Sequence, residues 1–141
     1  MPTETQPDVV PMIAYEDGPA AMDWLNRAFG FEERTRMLDK SGRLSHGEMR
    51  AGSGLVMLAS PTPEYQAPLR HRQECAAAAG WSAVPYIVDG VLVYVDHIDG
   101  HYRRARKQGA RILTELESDQ YGRRYRAEDL EGHRWMFMER S

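Results

Sequence analysis

An order of predicted elements that occurs twice along the chain constrains the fold more than any other feature. In the first half, the apolar run MIAY predicts a strand, and Asp17 can cap the helix that follows it. Gly30 can adopt the left-handed conformation that ends such a helix. The segments FEERTRML, RLSHGEMRAG and SGLVMLAS then have the character of strands. The first half is therefore predicted to be strand–helix–strand–strand–strand.

The second half shows the same order of elements. The run VLVYV predicts a strand, Asp96 predicts a helix cap, and Gly109 predicts the end of that helix. The apolar stripe of the helix consists of Ile98, Tyr102 and Ala105. The segments ARILTELES, GRRYRAED and HRWMFME predict three further strands, with Gly132 in the last turn.

The landmarks of the two halves keep a nearly constant separation. It is 79 residues from Asp17 to Asp96, 79 from Gly30 to Gly109 and 78 from Gly54 to Gly132. This agreement and the shared order of elements predict a duplicated βαβββ module. We assign the modules to residues 9–60 and 90–141. The connecting arm, residues 61–89, is predicted to contain one short helix over LRHRQECAAAAG, and residues 1–8 to form a flexible tail.

Composition and charge exclude several classes of protein. A formal net charge of −3 provides no general attraction to nucleic acid or to an anionic membrane. The longest apolar runs, such as VLVYV, are far too short to cross a bilayer. Cys75 is the only cysteine, so no disulfide can form within the chain, and no signal peptide is visible. We therefore expect a cytoplasmic protein that binds neither nucleic acid nor membrane.

Four stretches of the chain carry a resemblance to a known superfamily: AMDWLNRAFGFEE, SHGEMRAGSGLVMLAS, VLVYVDHIDGHYRRARKQGA and EDLEGHRWMF. Together with the tandem βαβββ order, they resemble the vicinal oxygen chelate superfamily of glyoxalase I, fosfomycin-resistance enzymes, extradiol dioxygenases and bleomycin-resistance proteins. The stretch around HGEM is similar to the PhnB-like branch. The resemblance implies an α+β glyoxalase-like fold, with tandem modules forming a curved mixed sheet around a cleft. It also implies a homodimer, with modules paired within one chain or across two.

The resemblance also implies where a catalytic metal would bind, on inward-facing residues of the first and last strands of each module. These positions fall near Val10, Gly90, Leu58 and Met136. None of them offers a good ligand for a hard or borderline cation, and among their neighbours only Asp89 does. Met136 stands where the resemblance places a metal-binding glutamate. We therefore expect no metal and no cofactor.

Two pairs of residues, each with at least one histidine, have spacings that are found in functional sites. His46 and Glu48 are two residues apart on a predicted strand, so their side chains share one face. They form either a cross-strand polar pair or a general base with its orienting partner. His97 and His101 are four residues apart on the second helix. Because helices in this architecture pack outside the sheet, we expect both of these rings to face solvent.

The sequence favours a metal-free protein of the bleomycin-resistance type, which binds or sequesters a small, partly aromatic molecule in an apolar cleft. The candidate ligand-binding residues are Met12, Met57, Trp81, Tyr86, Leu92, Tyr94, Tyr121, Arg124, Trp135 and Met136. Strand alternation lets only a subset of them face a cleft, and plain core packing is an open alternative. The alternative function is a superfamily enzyme, a lyase, an isomerase or a glyoxalase-like enzyme, using a divalent metal or the acid–base pair of His46 and Glu48.

Overall fold

The computed structural model describes residues 6–140. The first half contains β1 (Met12–Ala14), α1 (Gly18–Phe29), β2 (Glu32–Leu38), β3 (Leu44–Ala51) and β4 (Gly54–Ala59). The connecting arm contains α2 (Pro68–Glu74) and α3 (Ala76–Ser82). The second half contains β5 (Gly90–Val95), α4 (Ile98–Lys107), β6 (Arg111–Asp119), β7 (Gly122–Glu128) and β8 (Arg134–Glu139). The α+β fold with a repeated βαβββ order is therefore confirmed. Of the predicted tail and second module, residues 1–5 and 141 lie outside the described part.

Each half forms a four-stranded mixed sheet with the same strand order. The orders are β1-β4-β3-β2 and β5-β8-β7-β6, and the first strand of each half runs parallel to the last. A parallel pair needs a crossover connection, which α1 and α4 supply. Because a helix covers one face of each sheet, the strands bury alternate residues. In β8, Trp135 and Phe137 are buried, whereas Met136 and Met138 lie on the opposite face.

The two long helices begin differently. In α1, the Asp17 carboxylate accepts a hydrogen bond from the Ala20 amide at 3.1 Å, and Gly30 ends the helix with a φ of 74°, as predicted. The prediction that Asp96 caps α4 is wrong, because the N-cap residue is His97 and no side chain caps this helix. Asp96 lies one residue too early in the chain for the cap position. None of the helices within residues 6–140 has the length and apolar character needed to span a bilayer.

The two halves share one hydrophobic core, in which α1 packs against α4. Phe29, at the end of α1, contacts the rings of Trp135 and Phe137 in the second sheet at centroid distances of 5.9 and 4.7 Å. The indole of Trp24 donates a hydrogen bond to the carbonyl of Gln108 at 2.9 Å. The helices thus lie on the core side of both sheets. We call the opposite face of each sheet its open face.

The connecting arm has two short helices where the sequence predicts one. Cys75 is extended between α2 and α3, with φ of −134° and ψ of 113°, and Gly80 lies inside α3 rather than at its end. Good helix formers favour a continuous helix here, but docking of the arm on the second half sets its path. The amide of Leu69 donates to the carbonyl of Glu131 at 3.0 Å, and Arg134 donates to two arm carbonyls.

Candidate functional site

The open face of the second sheet presents three rows of side chains across its strands. From β5 to β6, the register gives the rows Gly90–Arg134–Glu128–Arg111, Leu92–Met136–Arg126–Thr114 and Tyr94–Met138–Arg124–Glu117. The side chains between these rows, such as Tyr125 and Phe137, are fully buried toward the helices. The open face is therefore largely apolar along β5 and the rest of β8, and it carries arginines on β7 and at the start of β8.

The connecting arm covers one end of this open face through a buried ion network. The Glu128 side chain is 2% exposed and accepts hydrogen bonds from Arg72 of α2 at 2.6 Å and from Arg134 of β8 at 3.0 Å. Arg111 lies 3.3 Å from the other carboxylate oxygen. Arg134 also donates to two carbonyl groups at the end of α3 and just after it. Since a buried charge is stable only with good partners, this network fixes the arm on the sheet.

The carboxyl group of Glu128 is held in its charged form. Burial alone would raise its pKa, but the hydrogen bond from Arg72 and the charges of Arg72, Arg134 and Arg111 bring the pKa of Glu128 below its ordinary value. Three guanidinium groups therefore surround one carboxylate. The surface next to the arm has an excess of positive charge.

Beside this network, the arm and the open face line a half-open cavity of about 210 Å³. Tyr86 of the arm lies over Arg126 of β7, with the guanidinium carbon 5.8 Å from the ring centroid. Leu92 and Met136 line the same cavity. The cavity is smaller than the roughly 300–1,000 Å³ of typical drug-sized pockets, and Tyr86 is 69% exposed. This geometry suits a small planar molecule that enters from solvent.

The open face of the first sheet repeats this layout with different chemistry. Its central row is Met12–Met57–Glu48–Thr35, the counterpart of Leu92–Met136–Arg126–Thr114 in the second sheet. Glu48 thus occupies the position equivalent to Arg126. One Glu48 oxygen lies 2.7 Å from His46 Nε2, and the other lies 3.5 Å from Arg34. The structure brings His46 and Glu48 together on one face.

The residues at the superfamily's metal positions do not fit a metal centre. Of the predicted metal positions, Gly90 and Met136 lie on the open face of the second sheet, and the central open-face pairs nearby are Met12 with Met57 and Leu92 with Met136. None of these side chains carries an oxygen or nitrogen donor. Leu58, the position inferred for the first half, is 2% exposed and packs in the core, one residue out of phase with the open face. Within residues 6–140, no three His, Cys, Asp or Glu side chains form a group that could hold a metal ion.

The predicted ligand-binding residues lie in different environments. Large, exposed side chains on the open faces or the arm are Met12, Trp81, Tyr86, Leu92 and Tyr94, and Met57 and Met136 are half-buried beside them. Trp135 is 1% exposed, so its side chain belongs to the core. The Arg124 guanidinium forms an ion pair with the Asp119 carboxylate at 2.6 Å, and Tyr121 lies in the β6–β7 turn. Around the cavity under the arm, the structure gathers Tyr86, Leu92 and Met136, and the buried Trp135 forms part of its wall.

His101 contradicts the prediction that both helix histidines face solvent. Its half-buried ring lies between the two halves, where Nε2 donates to the Phe29 carbonyl at 3.0 Å and Nδ1 accepts from the Tyr125 hydroxyl at 2.5 Å. Phe137 lies 4.2 Å away, centroid to centroid. Burial lowers the pKa of His101 to about 4, so the ring is neutral at neutral pH, as one donor and one acceptor nitrogen require. His97 is exposed.

The turn before β8 also contains a buried aspartate with several hydrogen bonds. Asp129 is 5% exposed and accepts hydrogen bonds from the Tyr15 hydroxyl at 2.6 Å and the Trp135 indole at 3.0 Å. Its other oxygen accepts from the backbone amides of Glu131 and His133, both at 3.0 Å. Burial raises the pKa of Asp129, and the neighbouring His133 and these hydrogen bonds oppose the rise. The turn therefore ties the first half to the second.

The sequence did not identify three residues in or beside the cavity: Arg126 and Arg134 in its lining, and Glu128 in the adjacent ion network. Strand alternation was a usable signal for Arg126 and Glu128, because they share parity with Arg124 and alternate with the apolar Tyr125. No local signal points to Arg134, because its partners lie across the β7–β8 turn and in the arm.

Two tandem βαβββ modules, each a four-stranded mixed sheet with one open face, define a glyoxalase-like protein. Residues 9–137 match the Glyoxalase/Bleomycin resistance protein/Dioxygenase superfamily, and the chain belongs to this superfamily. The PhnB-like branch stays a prediction.

Individual relatives cover nearly the whole chain. An uncharacterized protein of Mycobacterium bovis is 29% identical over 140 residues, which are 96% of this chain and 84% of that protein. The crystal structure of TioX from Micromonospora sp. ML1 has a TM-score of 0.69 at 31% identity, covering 96% of this chain and 97% of that chain. TnmS3, an antibiotic binding protein from Streptomyces sp. CB03234, has a TM-score of 0.60 at 15% identity, covering 97% and 99%. The likeness to TnmS3 shows the fold alone.

Proposed function

We propose that this protein binds a small, partly aromatic molecule, without a metal, on the open face of the second sheet. The observation that carries the proposal is the cavity under Tyr86, where Leu92 and Met136 supply apolar contacts. Apolar walls with a few polar groups are the usual composition of small-molecule sites, and methionine adapts to irregular ligands. TnmS3 is an antibiotic binding protein with the same fold, which supports the proposal by fold analogy.

A second copy of the chain completes the cleft in this proposal. The two open faces point away from the shared core, so a single chain leaves both uncovered over most of their area. Each carries large exposed apolar side chains, Met12 and Met37 on the first sheet and Leu92 and Tyr94 on the second. Placing the first sheet of one copy over the second sheet of another would bury both groups.

The test is a thermal-shift screen on protein dialysed against a chelator. Neutral and charged aromatic compounds are added, and Zn, Ni, Mn, Fe and Co are added separately. A ligand at 100 times its Kd stabilises the fold by about 2.7 kcal/mol, which raises Tm by several degrees. We expect such shifts with aromatic compounds and none with metals. Stoichiometric metal with a clear rise in Tm, or no aromatic compound that stabilises the protein, would overturn the proposal.

A matched pair of variants locates the site. Leu92 on the second open face and Leu38 at the end of β2 are 44% and 50% exposed, so both can be shortened at a similar cost in stability. Leu92→Ala is expected to weaken binding of every aromatic hit, because it removes part of the cavity wall. Leu38→Ala is expected to leave binding unchanged. Equal effects of the two substitutions would place the ligand elsewhere.

The second candidate function is an enzyme that uses His46 and Glu48, and one observation favours it. Their side chains lie 2.7 Å apart on the open face of the first sheet, with 38% and 16% exposure, which is the arrangement of a general base with its orienting carboxylate. Each hit from the screen is incubated with wild-type protein and with His46→Gln and recovered by mass spectrometry. Conversion by the wild type but not by His46→Gln would establish catalysis. Recovery of every hit unchanged would support binding alone.

A further inference from the structure

The arginines on the open face of the second sheet differ in their partners. Arg111 and Arg134 pair with Glu128 at 3.3 and 3.0 Å, and Arg124 pairs with a carboxylate of β6 at 2.6 Å. Arg126 lies in the central row among them. Among residues 6–140, no carboxylate lies within ion-pair distance of Arg126, and its guanidinium group lies over the ring of Tyr86. One guanidinium group on this face is therefore left without an anion.

The duplicated half provides an internal comparison for Arg126. The equivalent position on the first sheet is Glu48, whose charge is satisfied by His46 and Arg34. Arg126 has instead the apolar Met136 beside it on β8 and Thr114 on β6. A half-buried guanidinium next to an apolar cavity gains most from a ligand that supplies an anionic oxygen, because charge-assisted hydrogen bonds strengthen where water is reduced. The excess positive charge of the neighbouring Glu128 network also favours an anionic ligand.

We propose that the molecule bound under the connecting arm is a small aromatic anion. Arg126 binds its acidic group, with two parallel N–H donors directed at a carboxylate, sulfonate or similar group. Tyr86 covers the ligand from the arm, and Leu92 and Met136 contact the aromatic ring. The cavity of about 210 Å³ suits a mono- or bicyclic ring system. This inference rests on the proposed function and names the ligand class of that same site.

The test compares a charged aromatic probe with its neutral isostere. Isothermal titration calorimetry is carried out with 2-naphthoate and 2-naphthamide on wild-type protein, Arg126→Gln, Arg126→Lys and Arg103→Gln. Arg103 lies exposed on α4, so its substitution removes the same charge from a surface outside the cavity. We expect Arg126→Gln to weaken naphthoate binding roughly 10- to 100-fold. Naphthamide binding should change little, Arg126→Lys should restore part of the affinity, and Arg103→Gln should behave as wild type.

Several results would overturn the inference. They are the absence of naphthoate binding to the wild type, an unchanged affinity in Arg126→Gln, or an equal loss in Arg103→Gln. The molecular mass of each variant in solution is measured in parallel. If Arg126→Gln dissociates an oligomer without a separate effect on naphthoate, Arg126 pairs with a second copy of the chain and not with a ligand.

The same binding measurements test the proposed function separately from the preference for anions. If neutral aromatic compounds bind to the wild type and to Arg126→Gln with equal affinity, the aromatic site stands and its preference for anions is refuted. If no aromatic compound, including naphthoate and naphthamide, stabilises the wild type, the proposed function itself is refuted.

Discussion

Lowering the pH should destabilise this protein through His101, the neutral histidine at the junction of its two halves. The pKa of His101 is lowered from its ordinary value of 6.5 to about 4, because the ring is buried against Phe29 and Phe137. The unfolded chain therefore binds a proton on His101 at a higher pH than the folded protein does. Because the folded pKa is the lower one, His101 contributes stability above pH 6.5, and this contribution is lost as the pH falls toward 4.

The size of the His101 effect follows from the shift. One pKa unit corresponds to about 1.4 kcal/mol, so the free energy of unfolding should decrease by about 2 kcal/mol between pH 7 and pH 5 and by about 3 kcal/mol at pH 4. Urea titrations at pH 7, 6, 5 and 4.5 measure this change. His101→Gln retains a donor for the Phe29 carbonyl and an acceptor for the Tyr125 hydroxyl, and it does not titrate.

Comparing how the free energy of unfolding changes with pH in the wild type and in His101→Gln separates the contribution of His101 from those of all other titrating groups. Any constant cost of His101→Gln affects all pH values equally, and carboxyl groups such as Glu128 remain in both proteins. His97→Gln is the control, because His97 is exposed at the start of the same helix. We expect wild type and His97→Gln to lose stability in parallel, and His101→Gln to lose about 2 kcal/mol less by pH 5. Identical pH dependence in all three proteins would refute the reasoning.

Three substitutions test the contacts that hold the two halves and the arm together. Glu128→Gln leaves the buried Arg134 without its carboxylate, so the free energy of unfolding measured in urea should fall by roughly 3–5 kcal/mol and the arm should be proteolysed faster. A cost below about 1 kcal/mol would contradict this expectation. Gly132→Ala forces a Cβ to within 2.7 Å of the Leu69 amide at a φ of +90°, so Tm should fall clearly; an unchanged Tm would disprove the close approach. Asp129→Asn turns an amide toward buried donors and should cost about 1–3 kcal/mol, whereas a neutral effect would show that the carboxylate is dispensable.

The repeated architecture could be predicted because its signals are local. Asp17 and Gly30 mark the ends of α1 by chemistry that acts within one helical turn. The environment of His101 could not be predicted from its helix. The apolar stripe through Ile98 and Ala105 defines the side that packs on the sheet, but α4 also packs against α1, so its buried surface is wider than one stripe. Whether a neighbouring histidine is solvated or buried depends on that second contact.

The path of the arm and the pairing of the arginines depend on distant partners. The alanine-rich segment after Cys75 favours a continuous helix, but contacts with distant residues, such as the hydrogen bond from Leu69 to Glu131 and the anchoring by Arg134, set the path of the arm. Arg124 and Arg126 are two residues apart on the same strand face, so no local pattern distinguishes them. The distinction arises because a carboxylate of β6 faces the first and none faces the second.

The two halves have kept one geometry while their open faces have come to differ in charge. A metal centre of the superfamily type needs donors from equivalent strands of both halves, and here the equivalent pairs Met12 with Met57 and Leu92 with Met136 are apolar. The polar positions next to these pairs carry opposite charges, Glu48 on the first sheet and Arg126 on the second. A cleft formed by one open face of each kind would have an acidic wall, a basic wall and an apolar centre. Under the proposed function, such a cleft would orient a polar aromatic molecule by charge.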